Sequence, residues 1–344
     1  MSHNILITGG SGYLGGTLLA RLGTSKLPSY NKLFALVRTY EQAQKVKELY
    51  GAEPFQIDAY DEAAIHKAVV NNGITIVFHL IDPVNSTSQV AFIKALGEVK
   101  KRKGGDTAGA KVFSSHAGAP NDRPLLDTQP DLYEIQKSQK SHIPLMNAAV
   151  QTNNTVIELS ETLGVRSYIF SPCIVYGKGE GFGNPISIQT VAIVKAAKAT
   201  RRVYTTDEGK PTWPVCHILD NTNLYLFLLG AMLSGSNPDH GKNGYYLAAS
   251  GSVVWTNLYA AMAATLLERG VIDDATIEAA DHAAVEKMAQ GIGYPPEFVN
   301  SALGGNCTFT ANHGEKMGWK PTYKPEHILE DAGNEVDLIL ANIQ

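Results

Sequence analysis

The first two-thirds of the chain alternates short apolar runs with amphipathic stretches, a pattern that predicts strand and helix in turn. The apolar runs mark strands at Asn4–Ile7, Leu33–Val37, Pro54–Ile57, Ile74–Leu80, Lys111–Ser114 and Ser167–Phe170. Between them, Glu62–Val70 and Val90–Lys101 repeat apolar residues at helical spacing. Strands that alternate with helices in this way are expected to form a parallel sheet covered on both faces. After Gly177 the character changes. Gly177–Pro185 (GKGEGFGNP) is a glycine-rich loop, Gly235–Gly244 a polar turn cluster, Asp273–Met288 an Ala-rich helical segment and Gly291–Pro296 a break. The expected architecture is α/β, with a doubly wound parallel sheet over residues 1–177. A smaller substrate-binding lobe is expected over 178–344, some of whose segments return to the sheet.

The first of these strands leads into the most informative stretch, ILITGGSGYLGG at Ile5–Gly16. Gly9, Gly12 and Gly15 follow Thr8 at G-x-x-G-x-x-G spacing, and Leu18, Leu19 and Leu22 continue as an amphipathic helix. A strand, a glycine turn and a helix start make a cradle for a dinucleotide pyrophosphate, because the helix amino terminus presents free amides and partial positive charge. Gly9 would permit the turn, Gly12 the approach of the phosphate, and Gly15 close packing of helix on strand; Thr8, Tyr13 and Leu14 complete the loop. The fold class is therefore Rossmann-type.

Composition narrows the function classes. The 344 residues are 44% hydrophobic, enough for a large core, and the net charge of −4 supplies no basic footprint for nucleic acid or an anionic membrane. The one basic cluster, Lys100–Lys103 (KKRK), ends in Gly104-Gly105 and reads as the solvated end of a helix. Cys173, Cys216 and Cys307 are odd in number and far apart, so they read as free thiols in a reducing compartment, and no metal-ligand spacing is present. The chain enters a strand almost at once, and no apolar run reaches membrane-spanning length. A soluble, cytoplasmic protein with a small-molecule substrate is expected, without nucleic-acid or membrane partners.

The T-G-x-x-G-x-x-G loop resembles the short-chain dehydrogenase/reductase superfamily, in particular its extended, epimerase/dehydratase-like branch. The resemblance continues at Asp58, at Tyr133 with Lys137, at Tyr176-Gly177 and at His217 with Asp220, in order along most of the chain. It implies a dinucleotide cofactor, leaves a homodimer open, and gives roles to particular residues. At the end of the second strand an acidic residue would accept from a ribose 2′-hydroxyl, whereas an Arg accommodates a 2′-phosphate. Here Leu36-Val37-Arg38 is followed by no acid until Glu41, so Arg38 favours NADP(H) over NAD(H), unless it is an ordinary surface arginine. Asp58 corresponds to a position that contacts adenine, or it caps the next helix.

Tyr133 and Lys137 lie in Y-E-I-Q-K, four apart, and would share a helix face. A fixed cation beside a phenol stabilises phenolate and brings its pKa toward the working range. The resemblance implies that Tyr133 exchanges the proton and that Lys137 tunes it and holds the ribose. It also calls for a hydroxyl at the end of the fifth strand, within KVFSSHAG. Ser115 is the choice, with Ser114 behind it, and another register puts His116 there. The interval from Lys137 to the next strand is long, so Ser138–Asn154 reads as an insertion. Pro172, in the next strand's YIFSPCIVYG, would flank the nicotinamide; Cys173 beside it lacks a base and reads as packing. His217 and Asp220 imply a structural role, positioning a helix at Asn221–Leu233.

The expected function is NADP(H)-dependent hydride transfer between nicotinamide and a carbonyl or alcohol. One alternative is an NAD-dependent nucleotide-sugar epimerase or dehydratase, for which Arg201-Arg202 could supply a diphosphate clamp. A second is a non-enzymatic dinucleotide-sensing regulator, a class that keeps the glycine loop and loses the Tyr/Lys pair.

Overall fold

A computed structural model describes residues 3–99 and 103–343. Its centre is a seven-stranded parallel sheet of β1 (Asn4–Ile7), β2 (Lys32–Val37), β3 (Glu53–Gln56), β4 (Ile74–His79), β5 (Lys103–Thr107), β6 (Arg166–Pro172) and β7 (Tyr245–Ala248). The strand order is β7-β6-β5-β4-β1-β2-β3. The winding of the sheet therefore reverses between β1 and β4, and a crevice opens there at the carboxyl ends of the strands. Helices cover both faces. α1 (Tyr13–Leu22) and α2 (Tyr40–Tyr50) share one; α3 (Glu62–Asn71), α4 (Thr87–Glu98) and, after the short α5 (Leu132–Ser138), the long α6 (Pro144–Leu163) share the other.

Sheet and second half interlock. Of the later helices α7 (Gln189–Thr200), α8 (Ile218–Leu233), α9 (Trp255–Glu268) and α10 (His282–Ile292), α8 packs against α1. Its Tyr225 ring stacks on Phe170 of β6 at 3.5 Å and meets Phe78 of β4 edge-on. β7, likewise from the second half, extends the sheet beside β6. The lobe itself carries a three-stranded sheet (Ile174–Tyr176, Thr212–His217 and Gly251–Val254) and a parallel pair, Arg202–Thr205 with Asp274–Ala279.

The first four strands and β6 fall where the apolar pattern put them, and the fifth does not. β5 is Lys103–Thr107, eight residues before the expected Lys111–Ser114, whose residues instead form a 3-10 turn at Ala110–Phe113 and the start of the next. The reason is tertiary: Phe113 buries by stacking on Phe309 at 4.1 Å and against Tyr245, so an apolar run that looks like a strand is an anchor for the lobe. The expected insertion, Ser138–Asn154, is for the most part the sheet-covering α6, which buries Met146, Ala149, Val150, Val156 and Ile157. Asp274–Ala279 is a strand rather than the start of a helix, because it pairs with Arg202–Thr205; the helix begins only at His282, capped by Asp281. In the basic cluster, Lys100–Arg102 lie outside the described residues and Lys103 opens β5. Among the described residues no helix is long and apolar enough to cross a membrane, and all three cysteines are free and buried.

Candidate active site

At the β1/β4 switch point lies a cleft of about 750 Å³ lined by Gly9, Gly12, Arg38, Asp58, Tyr60 and Asp82, among others. Its floor is the glycine loop. Gly9 has φ +67°, a conformation that favours glycine, and its carbonyl accepts from the Gly12 amide at 2.9 Å. A Cβ on Gly15 would stand 2.4 Å from the Gly9 oxygen, so Gly15 is there for packing. A Cβ on Gly12 would meet only that oxygen, at 3.2 Å, and otherwise project into open space. Gly12 caps α1, whose first intrahelical bond runs from Gly16 to Gly12; the first-turn amides of Tyr13, Leu14 and Gly15 are left for an external acceptor. Such a cradle fits a pyrophosphate.

The neighbouring loop residues serve elsewhere. The Thr8 hydroxyl accepts from the Leu80 amide at 2.8 Å and ties β1 to β4, and the Tyr13 hydroxyl donates to the Gly177 carbonyl at 2.6 Å. Leu14 packs near Val175 and Ile218. The glycine-rich loop after Tyr176 lies directly on α1, where Gly181 touches Gly16 and Glu180 pairs with Arg21.

On the cleft's far wall, the Arg38 guanidinium is exposed and has no hydrogen bond or ion pair among the described residues. The backbone around it is fixed: Gln42 accepts from the Arg38 and Thr39 amides and donates to the Ser11 hydroxyl at 3.1 Å, bracing α2 against the glycine loop. Asp58 lines the cleft and accepts from the Tyr60 amide; the cap of α3 is Asp61 instead. Sequence reasoning missed a strap across this wall, the Tyr60 hydroxyl donating to Asp82 at 2.7 Å, which pushes the phenol up to about 12. Nothing local in D-A-Y-D announces a partner 22 residues away.

Tyr133 and Lys137 do meet, with Nζ 3.3 Å from the phenolic oxygen, but not in this cleft. Both bind Glu158 of α6, at 2.5 Å from the phenol and 2.7 Å from the ammonium, and Lys242 lies over the Tyr133 ring. Glu158 is fourteen residues beyond Pro144, about 21 Å down α6 from the end that faces the crevice. That end is located by Ser141 and Gln139, which bond to His116, Val112 and Ala117 just after β5. The electrostatics also reverse the expectation. Burial and the Glu158 bond raise the Tyr133 pKa, outweighing Lys137. Tyr133→Phe is therefore expected to leave dinucleotide affinity unchanged and to cost about 1 kcal/mol or less, one hydrogen bond. Calorimetry and thermal melts check both; a loss of affinity would return the pair to the cleft.

Ser115 is likewise engaged. Its hydroxyl accepts from the Asn306 amide at 3.0 Å, and its own amide donates to the Asn306 carbonyl. His116 bonds Gly304 at 2.8 Å with its ring near Trp213, and burial lowers its pKa. Ser114 donates to the Lys111 carbonyl. Because β5 ends at Thr107, the expected place of the hydroxyl is taken by Ala108–Lys111. Pro172 ends β6 opposite Ala248, and burial pushes the thiol of Cys173 far up, as suits a packing residue. The His217 side chain caps α8 by accepting from the Leu219 amide. Arg201 and Arg202 pair with Asp273, Asp274 and Glu278 across the lobe's two strands.

Residues 5–100 match the model of the NAD dependent epimerase/dehydratase family. No curated protein sequence matches the chain. The fold as a whole is shared with solved nucleotide-sugar epimerases and dehydratases. It is similar to UDP-glucose 4-epimerase from Thermotoga maritima, with 13% identity and a TM-score of 0.67 over 99% of this chain and 100% of that one. UDP-glucuronic acid 4-epimerase from Bacillus cereus, in complex with UDP-glucuronic acid and NAD, gives 12% and 0.65 over 98% and 99%. The dTDP-glucose 4,6-dehydratase of Streptomyces venezuelae, with NAD bound, gives 12% and 0.67 over 98% and 97%. The resemblance read from the sequence is thus borne out in fold and in the glycine-loop region.

Proposed function

We propose that the chain is a dinucleotide-dependent enzyme of the extended short-chain type that exchanges hydride with a small-molecule substrate. The observation that carries this reading is the Gly12 cradle, an opening at the amino terminus of α1 into which a Cβ at Gly12 would project. In it, the free first-turn amides would hold the pyrophosphate, and the wall from Arg38 to Asp58 would hold the adenosine. The dinucleotide, when bound, supplies or takes the hydride.

Two refinements compete. The epimerase/dehydratase family match and the nucleotide-sugar enzymes of the same fold favour the second of the sequence readings, an NAD-dependent nucleotide-sugar epimerase or dehydratase. Only Arg38, unpaired at the cleft rim, favours NADP(H) and net reduction. Arg38→Ala is expected to weaken NADP(H) binding by roughly 1–3 kcal/mol, the loss of a charge-assisted hydrogen bond, and to leave NAD(H) unchanged. Calorimetric titration of all four dinucleotides decides it; equal affinities untouched by the substitution remove the NADP reading. Turnover of UDP-glucose or dTDP-glucose without added cofactor supports epimerase or dehydratase chemistry. Consumption of NADPH by ketones supports reduction. Tight binding with neither activity favours the dinucleotide-sensing regulator, which the position of Tyr133 outside the cleft keeps in view.

A further inference from the structure

The glycine-rich loop Gly177–Pro185 follows the lobe strand Ile174–Tyr176, and none of its residues lines the cleft. Its base is held from the lobe side. The Gly177 amide donates to Glu335 at 2.8 Å, and Glu335, buried on the C-terminal helix Ala332–Leu340, also accepts from Thr190 of α7. From there the loop runs along α1, whose Tyr13, Thr17 and Arg21 stand four residues apart on one face. The Tyr13 hydroxyl donates to the Gly177 carbonyl at 2.6 Å, the Thr17 hydroxyl accepts from the Glu180 amide at 3.0 Å, and Arg21 pairs with the Glu180 carboxylate. Phe182 reaches on to α2, its ring centroid 6.2 Å from that of Tyr50 and Lys45 lying over it.

The alternate glycines show how close this contact is. A Cβ on Gly179 would stand 2.6 Å from the Tyr13 ring, and one on Gly181 would stand 2.8 Å from the Gly16 Cα and 2.9 Å from the Gly12 carbonyl oxygen. One on Gly183 would collide with the Ser11 carbonyl oxygen. None of the three has a positive φ, so space rather than conformation calls for glycine here. Ser11 is thereby held from two sides: its hydroxyl accepts from Gln42 of α2 at 3.1 Å, and its carbonyl abuts Gly183. Ser11 and Gly12 form the tip of the dinucleotide turn, and both line the cleft.

We propose that Gly183 is a positioning residue for the dinucleotide: through it the lobe's loop sets where the Ser11–Gly12 tip stands, and with it how the first-turn amides of α1 meet a pyrophosphate. The proposal rests on the dinucleotide reading above. The turn has two sides. One faces the phosphate and must stay open, which Gly12 provides. The other needs a backing, because amides displaced by about 0.5 Å lose their hydrogen-bond geometry. Gln42 backs the tip from α2 and Gly183 backs it from the lobe. Because Gly183 meets Ser11 backbone to backbone, with no flexible side chain between them, a shift of the loop is passed on to the tip.

The test is hydrogen exchange of the full chain with and without saturating NADH or NADPH, beside calorimetric titration of Gly183→Ala and Glu180→Ala. A bound dinucleotide is expected to slow exchange in the 177–185 segment severalfold, although that segment lies outside the cleft. Gly183→Ala is expected to weaken dinucleotide binding about tenfold or more, the loss of one charge-assisted hydrogen bond, because its methyl group pushes against Ser11. Glu180→Ala removes the exposed pair with Arg21 but leaves the contact with Ser11, and is expected to bind as the native protein does. Exchange untouched by a bound dinucleotide overturns the proposal. So does native affinity in a folded Gly183→Ala protein, or an equal loss in the two variants; the dinucleotide reading survives each of these results. Should Gly183→Ala fail to fold, the exchange measurement on the native protein decides alone. Absence of any dinucleotide binding by the native protein overturns that reading and this proposal together.

Discussion

Gly12→Val is expected to abolish dinucleotide binding while the protein remains folded. Gly12 has φ −83° and ψ 179°, extended backbone open to any residue, so the substitution adds no strain of its own. The new Cβ meets the Gly9 oxygen at 3.2 Å, a contact that a few tenths of an ångström relieves. The two methyl groups beyond it then occupy the space in front of the free first-turn amides of α1. A pyrophosphate kept off two of those amides loses two charge-assisted hydrogen bonds, about 3 kcal/mol or more, which is at least a hundredfold in affinity. Calorimetric titration beside a thermal melt separates the effects. Gly15→Val is the contrast, because its Cβ would stand 2.4 Å from the Gly9 oxygen and 2.8 Å from the Gly9 carbonyl carbon, so there the fold itself should suffer. Unchanged cofactor affinity in a folded Gly12→Val protein would remove the glycine loop from the site.

What could be read from the chain divides by range. The glycine loop, β1 to β4 and the helices between them follow from patterns within about a dozen residues, where apolar periodicity and turn chemistry decide. β5 could not be read this way. Its sequence, Lys-Gly-Gly-Asp-Thr, has two glycines and no β-branched apolar residue, whereas Lys-Val-Phe-Ser a few residues on looks more like a strand. The second segment owes its apolar residues to Phe309 and Tyr245, rings more than 130 positions away. The Tyr-Lys motif shows the same limit of range. Spacing of four brings Tyr133 and Lys137 together, as the 3.3 Å contact confirms, but it says nothing of the third residue they meet. Glu158, twenty-five positions from Tyr133, binds both groups and, with burial, raises the phenol's pKa. Arg38 stood at a strand end, where its place on the cleft wall could be read; Ser115 was promoted by the misplaced strand.

The largest effect on stability is expected from Lys111→Met. In the folded chain this ammonium is pushed down from 10.5 to about 8 by burial, with no opposing attraction to hold it up. Below pH 8 the lysine is protonated both folded and unfolded, so the folded protein carries the full cost of a desolvated charge. Between pH 8 and about 10.5 the unfolded chain still holds the proton that the folded chain has released, so native stability rises with pH through this window. The shift corresponds to about 3 kcal/mol. Methionine has nearly the same length and no charge, so the variant is expected to be more stable than the native protein by about that amount at pH 7. The advantage should shrink toward zero as pH approaches 10.5. Denaturant unfolding at pH 7, pH 9 and pH 10.5 measures it. A stability difference that is the same at all three would mean that Lys111 finds a counter-charge after all.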